Sequence, residues 1–328
     1  MSSDSADLDR RLAALTEVNL DDLCDALGLK PDAQSDSPDR IRGGSAWARS
    51  VLRRAVRAAG RPSAQRFAAM MIDADARVGR VGLSAGATHA LGALHTSLRI
   101  VGAERLPAKG PVLYLSNHPG MSDTLALFAA IPHAGLRTIA ARRPFLQLLP
   151  HFAAPLIWVD EGEQPEEKSS RLAALRAAAA HLRAGGALLT FPAGRIEGDP
   201  ARRPDAADSL RDWNPSTDLL GRLAPDVTVV PVLVSGVISA GAAGSPVRRL
   251  RSTRAGQDLL GAMLQLSWPP YAHTEACVRF GPPLPAAALF RTGRAAPPLT
   301  LAVTTIMRSL IDAEVRDRQA RRTDGWPA

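Results

Sequence analysis

The sequence predicts an α/β protein: a mixed, largely parallel central sheet flanked by helices, with a helical region ahead of it. Up to about Leu98 the apolar residues recur at helical spacing, as in Leu8, Leu12, Leu15 and Val18. Beyond Arg99 short apolar runs alternate with helical segments, which is the rhythm of strands crossing over through helices. Three segments are expected: a helical N-terminal region over 1–98, the main domain over 99–285 and a helical C-terminal tail over 286–328.

In the first segment the stripe Trp47, Val51, Leu52 and Val56 lies beside Arg49, Arg53, Arg54 and Arg57. An interfacial membrane helix carries that pattern, and so does a helix packed on a core; both readings stay open. In the second segment Val112 to Ser116 is the first clear strand. A helix from about Asp123 to Ala130, an extended Arg137 to Ala141, a short helical Phe145 to Phe152 and a strand Leu156 to Val159 follow. Ser169 or Ser170 is expected to cap a helix whose Leu172, Leu175, Ala179 and Leu182 face inward, ended by Gly185-Gly186. A strand Ala187 to Phe191 then leads into a polar loop over about Gly194 to Pro215, of the length that is often functional. The β-branched run Val227 to Val234 reads as a buried strand, Ala276 to Phe280 as another, and Leu299 to Arg322 as a closing helix.

Composition narrows the function classes. With 46% hydrophobic and 22% charged residues the chain is of the packed globular type. The net charge of +8 comes almost wholly from arginine, since Lys30, Lys109 and Lys168 are the only lysines. Clusters such as Arg248, Arg249, Arg251 and Arg254 lack interleaved aromatics, which favours an anionic membrane surface or an acidic substrate over nucleic acid; a merely solvated surface explains them equally. Cys24 and Cys277 are far apart and fit neither a disulfide framework nor a metal site, and the other histidines show no partners at metal-ligand spacing. His151, beside Pro150 and Phe152, is the one bystander expected near a pocket. The opening Met1 to Arg10 is acidic and polar, unlike a secretory signal. A cytoplasmic location is therefore expected, with or without peripheral contact on the inner face of the cell membrane.

Two constellations carry chemistry. In Asn117-His118-Pro119-Gly120-Met121-Ser122-Asp123, between a strand and a helix, a Pro-Gly turn lets an aspartate five residues on reach one ring nitrogen of the histidine. The other nitrogen is then free to take a proton from an attacking hydroxyl or amine. Equally, Asp123 or Ser122 caps the helix and His118 is a turn residue. In Phe191-Pro192-Ala193-Gly194-Arg195, Gly194 permits close backbone approach and Arg195 offers a planar fork for a phosphate or carboxylate, unless the segment is a plain turn.

The stretch Val101 to Leu127, with Gly102, Leu106-Pro107, Gly110-Pro111 and the Asn117 to Asp123 segment, resembles the opening of the phospholipid/glycerol acyltransferase family. Phe191 to Arg195 resembles that family's third block, usually Phe-Pro-Glu-Gly-Thr-Arg, and Val230-Pro231-Val232 its fourth. Gly221 to Ala224 and Val278 to Gly281 extend the likeness to about residues 99–285. It implies a glycerolipid acyltransferase-like fold, with His118 and Asp123 as catalytic pair. Asn117, Phe191, Pro192, Gly194 and Arg195 are the substrate-binding residues expected, together with Arg142 and Arg143 as cations from a neighbouring loop, unless these two are plain surface charges. It further implies acyl-CoA or acyl carrier protein as co-substrate, without a resident cofactor or metal, and a lipid acceptor.

Two departures bear on the acceptor. Ala193 replaces the usual glutamate of the third block, and Glu161 occupies the place of an arginine in the second, which weakens the case for a phosphate-bearing acceptor. An apolar groove lined by Leu125 to Phe128 and Phe145 to Leu149 is expected to take the acyl chain. A lipid-binding protein of the same fold without turnover, and an acyl thioesterase, are the competing readings.

Overall fold

The computed structural model describes residues 3–29, 46–107, 109–160, 162, 164–290 and 299–323. The chain opens with helices α1 (Ser3–Ala26), α2 (Ala46–Val81) and α3 (Leu83–Ala93), followed by strand β1 (Thr96–Val101). Then come β2 (Val112–Ser116), α4 (Asp123–Ala130), β3 (Leu136–Ala141), α5 (Pro144–Gln147), α6 (Pro150–Ala153), β4 (Leu156–Val159), α7 (Pro165–Arg183) and β5 (Ala187–Thr190). The last part holds α8 (Ser216–Leu223), β6 (Thr228–Ser235), α9 (Ala240–Gly244), α10 (Arg254–Ser267), β7 (Thr274–Phe280), β8 (Leu284–Pro285), α11 (Ala286–Phe290) and α12 (Leu299–Thr323).

The strands form one sheet in the order β1-β7-β6-β2-β5-β3-β4, with β8 beside β6. β6, β2, β5, β3 and β4 are mutually parallel, whereas β7 runs antiparallel to β6 and carries β1 parallel to itself. The sheet is thus mixed and largely parallel, and the C-terminal ends of five strands collect along one edge. Every residue of β2 is buried, as a strand covered on both faces must be. Pro231 lies inside β6 where pairing passes from β8 to β7, a break in the ladder that tolerates its missing N–H.

One face of the sheet is covered by α4 together with α1, α2 and α3: Leu15, Met71, Val78 and Leu91 share a core with Tyr114, Leu127 and Phe280. The other face is covered by α7, α8 and α12, whose Leu299, Val303, Met307 and Leu310 recur at helical spacing and pack with Leu113, Leu188 and Leu233. Residues assigned from sequence to a preface and a tail therefore build both faces of the sheet, and the boundary at 98 falls inside β1.

α7 begins earlier than expected. Gln164 caps it in a reciprocal box with Glu167, whose carboxylate accepts the Gln164 N–H at 2.6 Å. Ser170 instead accepts the Asp160 N–H, and Leu172 is exposed, so the inward face starts at Ala174. In α2, Trp47, Val51 and Leu52 are exposed, and only Val56 of that stripe packs inward, near Leu23, Leu260 and Met263. No helix among the described residues is long and apolar enough to cross a membrane.

Candidate active site

The loop leaving β2 and the N-terminus of α4 bring His118 onto Asp123. His118 Nδ1 lies 2.6 Å from Asp123 Oδ2, which also accepts the Gly120 N–H at 3.0 Å. The second carboxylate oxygen accepts the Thr124 N–H at 2.5 Å. Asp123 is fully buried while His118 stays a quarter exposed, so the pair is fixed from below and open from above. Ser122 precedes the helix, yet its side chain makes no cap bond. Gly120 allows the tight turn: a Cβ there would stand 3.0 Å from Ile238 and 3.1 Å from Val237.

Since Nδ1 is committed to Asp123, Nε2 is the nitrogen left for chemistry. Burial pushes the His118 pKa down, but the Asp123 charge, the hydrogen bond to it and the charge of Glu197 outweigh that and raise it above the ordinary 6.5.

The adjacent parallel strand β5 delivers the second constellation. Phe191 stacks on the His118 ring with centroids 4.6 Å apart and planes at 28°. Pro192 is buried and its carbonyl accepts the Asn214 N–H at 2.9 Å, which ties down the far end of the long loop. Gly194 has φ +63° with its N–H bonded to the Phe191 carbonyl at 3.0 Å, a turn that glycine adopts without strain.

The remaining expected residues have other partners. Asn117 turns away from the site into β6: its amide donates to the Val234 carbonyl at 2.9 Å and accepts the Val234 N–H at 2.8 Å. Arg195 is exposed and pairs with Asp212. Arg142, at the end of β3, bonds Asp160 at 2.9 Å and lies over the Trp158 ring. Arg143 is exposed beside it, two strands away from His118 along the same edge. Glu161 lies outside the described residues. Leu125 to Phe128 are all buried in the core, so they line no open groove, and Phe145 stacks on Phe67 at 5.6 Å. His151 leans on α2, where a Cβ on Gly79 would come within 2.6 Å of its ring.

One residue escaped the sequence reading. Glu197, in the loop after Gly194, is buried, accepts the His118 N–H at 2.9 Å and donates its own N–H to the His118 carbonyl at 2.8 Å. Trp213 Nε1–H donates to its other oxygen at 3.0 Å. The length of that loop is the signal in the sequence that pointed to it.

Beside Met121 and Ser122, a shallow surface depression is lined by Val237, Ile238, Ala262, Gln265 and Leu266. Among the described residues, no three or more His, Cys, Asp or Glu side chains are grouped so as to hold a metal ion.

Residues 97–235, from β1 to the end of β6, match the family model described as Acyltransferase. The matched segment takes in both the Asn117 to Asp123 turn and the β5 strand, and it is this part of the chain that is similar to that family. Among solved structures, the 1-acyl-sn-glycerophosphate (LPA) acyltransferase PlsC from Thermotoga maritima is similar at 14% identity over 72% of this chain and 78% of that chain, with a TM-score of 0.40. No curated protein matches the sequence.

Proposed function

We propose that this protein transfers a fatty acyl group from a thioester, acyl-CoA or acyl carrier protein, to the hydroxyl or amine of a lipid-type acceptor, with His118 as general base. The observation that carries the reading is the 2.6 Å contact of His118 Nδ1 with a fully buried Asp123, which leaves Nε2 facing the open side. Nε2 takes the proton of the acceptor O–H or N–H as that atom attacks the thioester carbonyl. Collapse of the tetrahedral intermediate breaks the C–S bond, and the thiolate leaves with the proton that His118 holds. Asp123 fixes the tautomer and stabilises the imidazolium between those two steps. No serine or cysteine nucleophile is needed.

Phe191 limits how the His118 ring can tilt, and the turn at Pro192 and Gly194 borders the same opening. Arg142 and Arg195, paired with Asp160 and Asp212 at the surface, are weakly held and remain exchangeable with an anionic donor. The exposed Trp47, Val51 and Leu52 on α2 are suited to rest on a lipid surface, which would place a membrane-borne acceptor near the enzyme.

The test is thiol release from a long-chain acyl-CoA in the presence of pooled lysolipids, alcohols and amines, comparing wild type with His118→Ala. Release that needs both an acceptor and His118 supports the reading, and product analysis then names the acceptor. Release without an acceptor would identify a thioesterase. Silence with both acyl-CoA and acyl carrier protein would leave a lipid-binding protein. Flotation with anionic vesicles, lost in Trp47→Ala, tests the surface contact separately.

A further inference from the structure

We infer that Glu197 is a positioning residue for this reaction, holding the backbone on both sides of His118 through its N–H and its carbonyl and setting a buried carboxylate beneath that turn. The inference rests on the general-base reading of His118. It is carried by three hydrogen bonds, two to the Glu197 side chain and one from its backbone, and by the chemistry of that side chain.

The contact is reciprocal. Glu197 Oε2 accepts the His118 N–H at 2.9 Å, and the Glu197 N–H donates to the His118 carbonyl at 2.8 Å, so residues 79 apart in sequence hold both peptide units that flank His118. The outer oxygen, Oε1, accepts from Trp213 Nε1 at 3.0 Å, which fixes the carboxylate plane. The His118 N–H and the Trp213 ring N–H both donate to this side chain. A carboxylate is acceptor-only at both oxygens, whereas a glutamine amide would turn an NH₂ toward one of them.

Burying an acid without a cation pressed against it is costly, and packing alone does not call for one. Here its oxygens are taken by the His118 N–H and by Trp213 instead. The titratable groups that act on His118 are Asp123, from the N-terminus of α4, and Glu197, from the loop after β5. Burial raises the Glu197 pKa above its ordinary value, and Trp213, Ser209, the His118 N–H and the imidazole charge offset that rise only in part. The charges of Asp123, bonded to Nδ1, and of Glu197, bonded to the backbone, both favour the protonated imidazole.

Ala193 stands where the related block usually has its glutamate. In this chain the carboxylate that reaches the His118 peptide comes four residues later, from the beginning of the long loop.

The experiment compares full-length wild type, Glu197→Gln and Trp213→Phe by NMR titration of the His118 ring, with the resonance identified by its loss in His118→Ala, and by the pH dependence of kcat. For Glu197→Gln we expect the His118 titration to fall by roughly half a pH unit or more. We also expect kcat to drop by roughly 10- to 100-fold, with KM changed much less, as for a displaced catalytic group. Trp213→Phe, which strips one donor from the carboxylate, should move the titration in the same direction by less and serves if Glu197→Gln does not fold. A residue that only supports the fold would lower Tm and leave the titration in place. An unmoved titration with kcat within about threefold of wild type overturns the inference. Because the NMR titration needs no turnover, a wild type inactive on every acceptor would count against the acyl-transfer reading and leave the Glu197 result to be read by itself.

Discussion

Asn117 and Val234 are joined in both directions: the Asn117 amide donates to the Val234 carbonyl at 2.9 Å and accepts its N–H at 2.8 Å, so the side chain mimics one more rung between β2 and β6. All of these groups are buried. Asn117→Ala leaves one donor and one acceptor of Val234 without partners, at about 1–3 kcal/mol each. The expected outcome is a lower urea midpoint at unchanged slope, with an acceptor KM close to wild type in the folded fraction. A raised KM without loss of stability would return Asn117 to the substrate.

Asp123→Asn keeps the shape of the carboxylate but turns an NH₂ toward donors on one side, because Gly120, Thr124 and His118 all donate to Asp123. The expected fall in kcat is roughly 10²–10⁴, the range for general-base assistance. Since the base must be neutral, wild-type activity should rise with pH through a midpoint above the ordinary histidine value of 6.5. In Asp123→Asn that midpoint should move downward, because the largest of the influences raising it is gone. A pH–rate profile of each protein checks both statements.

Gly120→Ala tests how closely the His118 turn is fitted. Its Cβ would stand 3.0 Å from Ile238 and 3.1 Å from Val237, closer than side chains ordinarily approach. The loop must shift by a few tenths of an ångström or the two side chains must turn. We expect a Tm lower by several degrees, for about 1–3 kcal/mol of overpacking. kcat should be reduced more than KM is raised, as steady-state kinetics would show.

Glu314→Gln addresses acid stability. Burial pushes the Glu314 pKa up, but Arg318, Arg99 and hydrogen bonds from Arg279 and Ser235 outweigh it and hold the carboxyl at about 2 rather than 4.5. A depressed carboxylate adds stability that is present above about pH 4.5 and is lost as pH falls toward 2, here about 3 kcal/mol. Glu314→Gln removes the carboxylate shared by Arg99, Arg279 and Arg318, of which Arg99 keeps Glu275 and Arg279 keeps Asp317, so the expected cost near neutrality is at the lower end of roughly 3–5 kcal/mol. Its stability should then depend less on pH over that window, which urea titrations at stepped pH would measure.

The strands and the His118–Asp123 pair were legible because their signals are local. β2 is a continuous apolar run, and five residues across a Pro-Gly turn bring a carboxylate back to a ring nitrogen. Glu197 was not legible, since its link to His118 runs through backbone groups and spans 79 positions. Asn117 was assigned to substrate from the resemblance; its real partner, Val234, is set by the register of β2 on β6. The start of α7 was missed because a glutamine cap with a proline at the first helical position is a weaker sign than the Ser169-Ser170 pair further on. The first and last segments were read as additions because helical periodicity reveals an apolar face and not the surface that will cover it.

Glu314 receives bonds from Arg99 of β1, Arg279 of β7 and Ser235 of β6, so one carboxylate on α12 fastens three strands. Translation delivers that carboxylate after every strand it joins. β1 emerges well before β7, its neighbour in the sheet, and must wait for a partner that lies between it and β6. Until α12 has left the ribosome, Leu113, Leu188 and Leu233 have an uncovered side. The nascent chain thus passes through a stage in which α7 and α8 alone cover this face of the sheet, a span of synthesis in which chaperone protection matters more than it does for the finished fold.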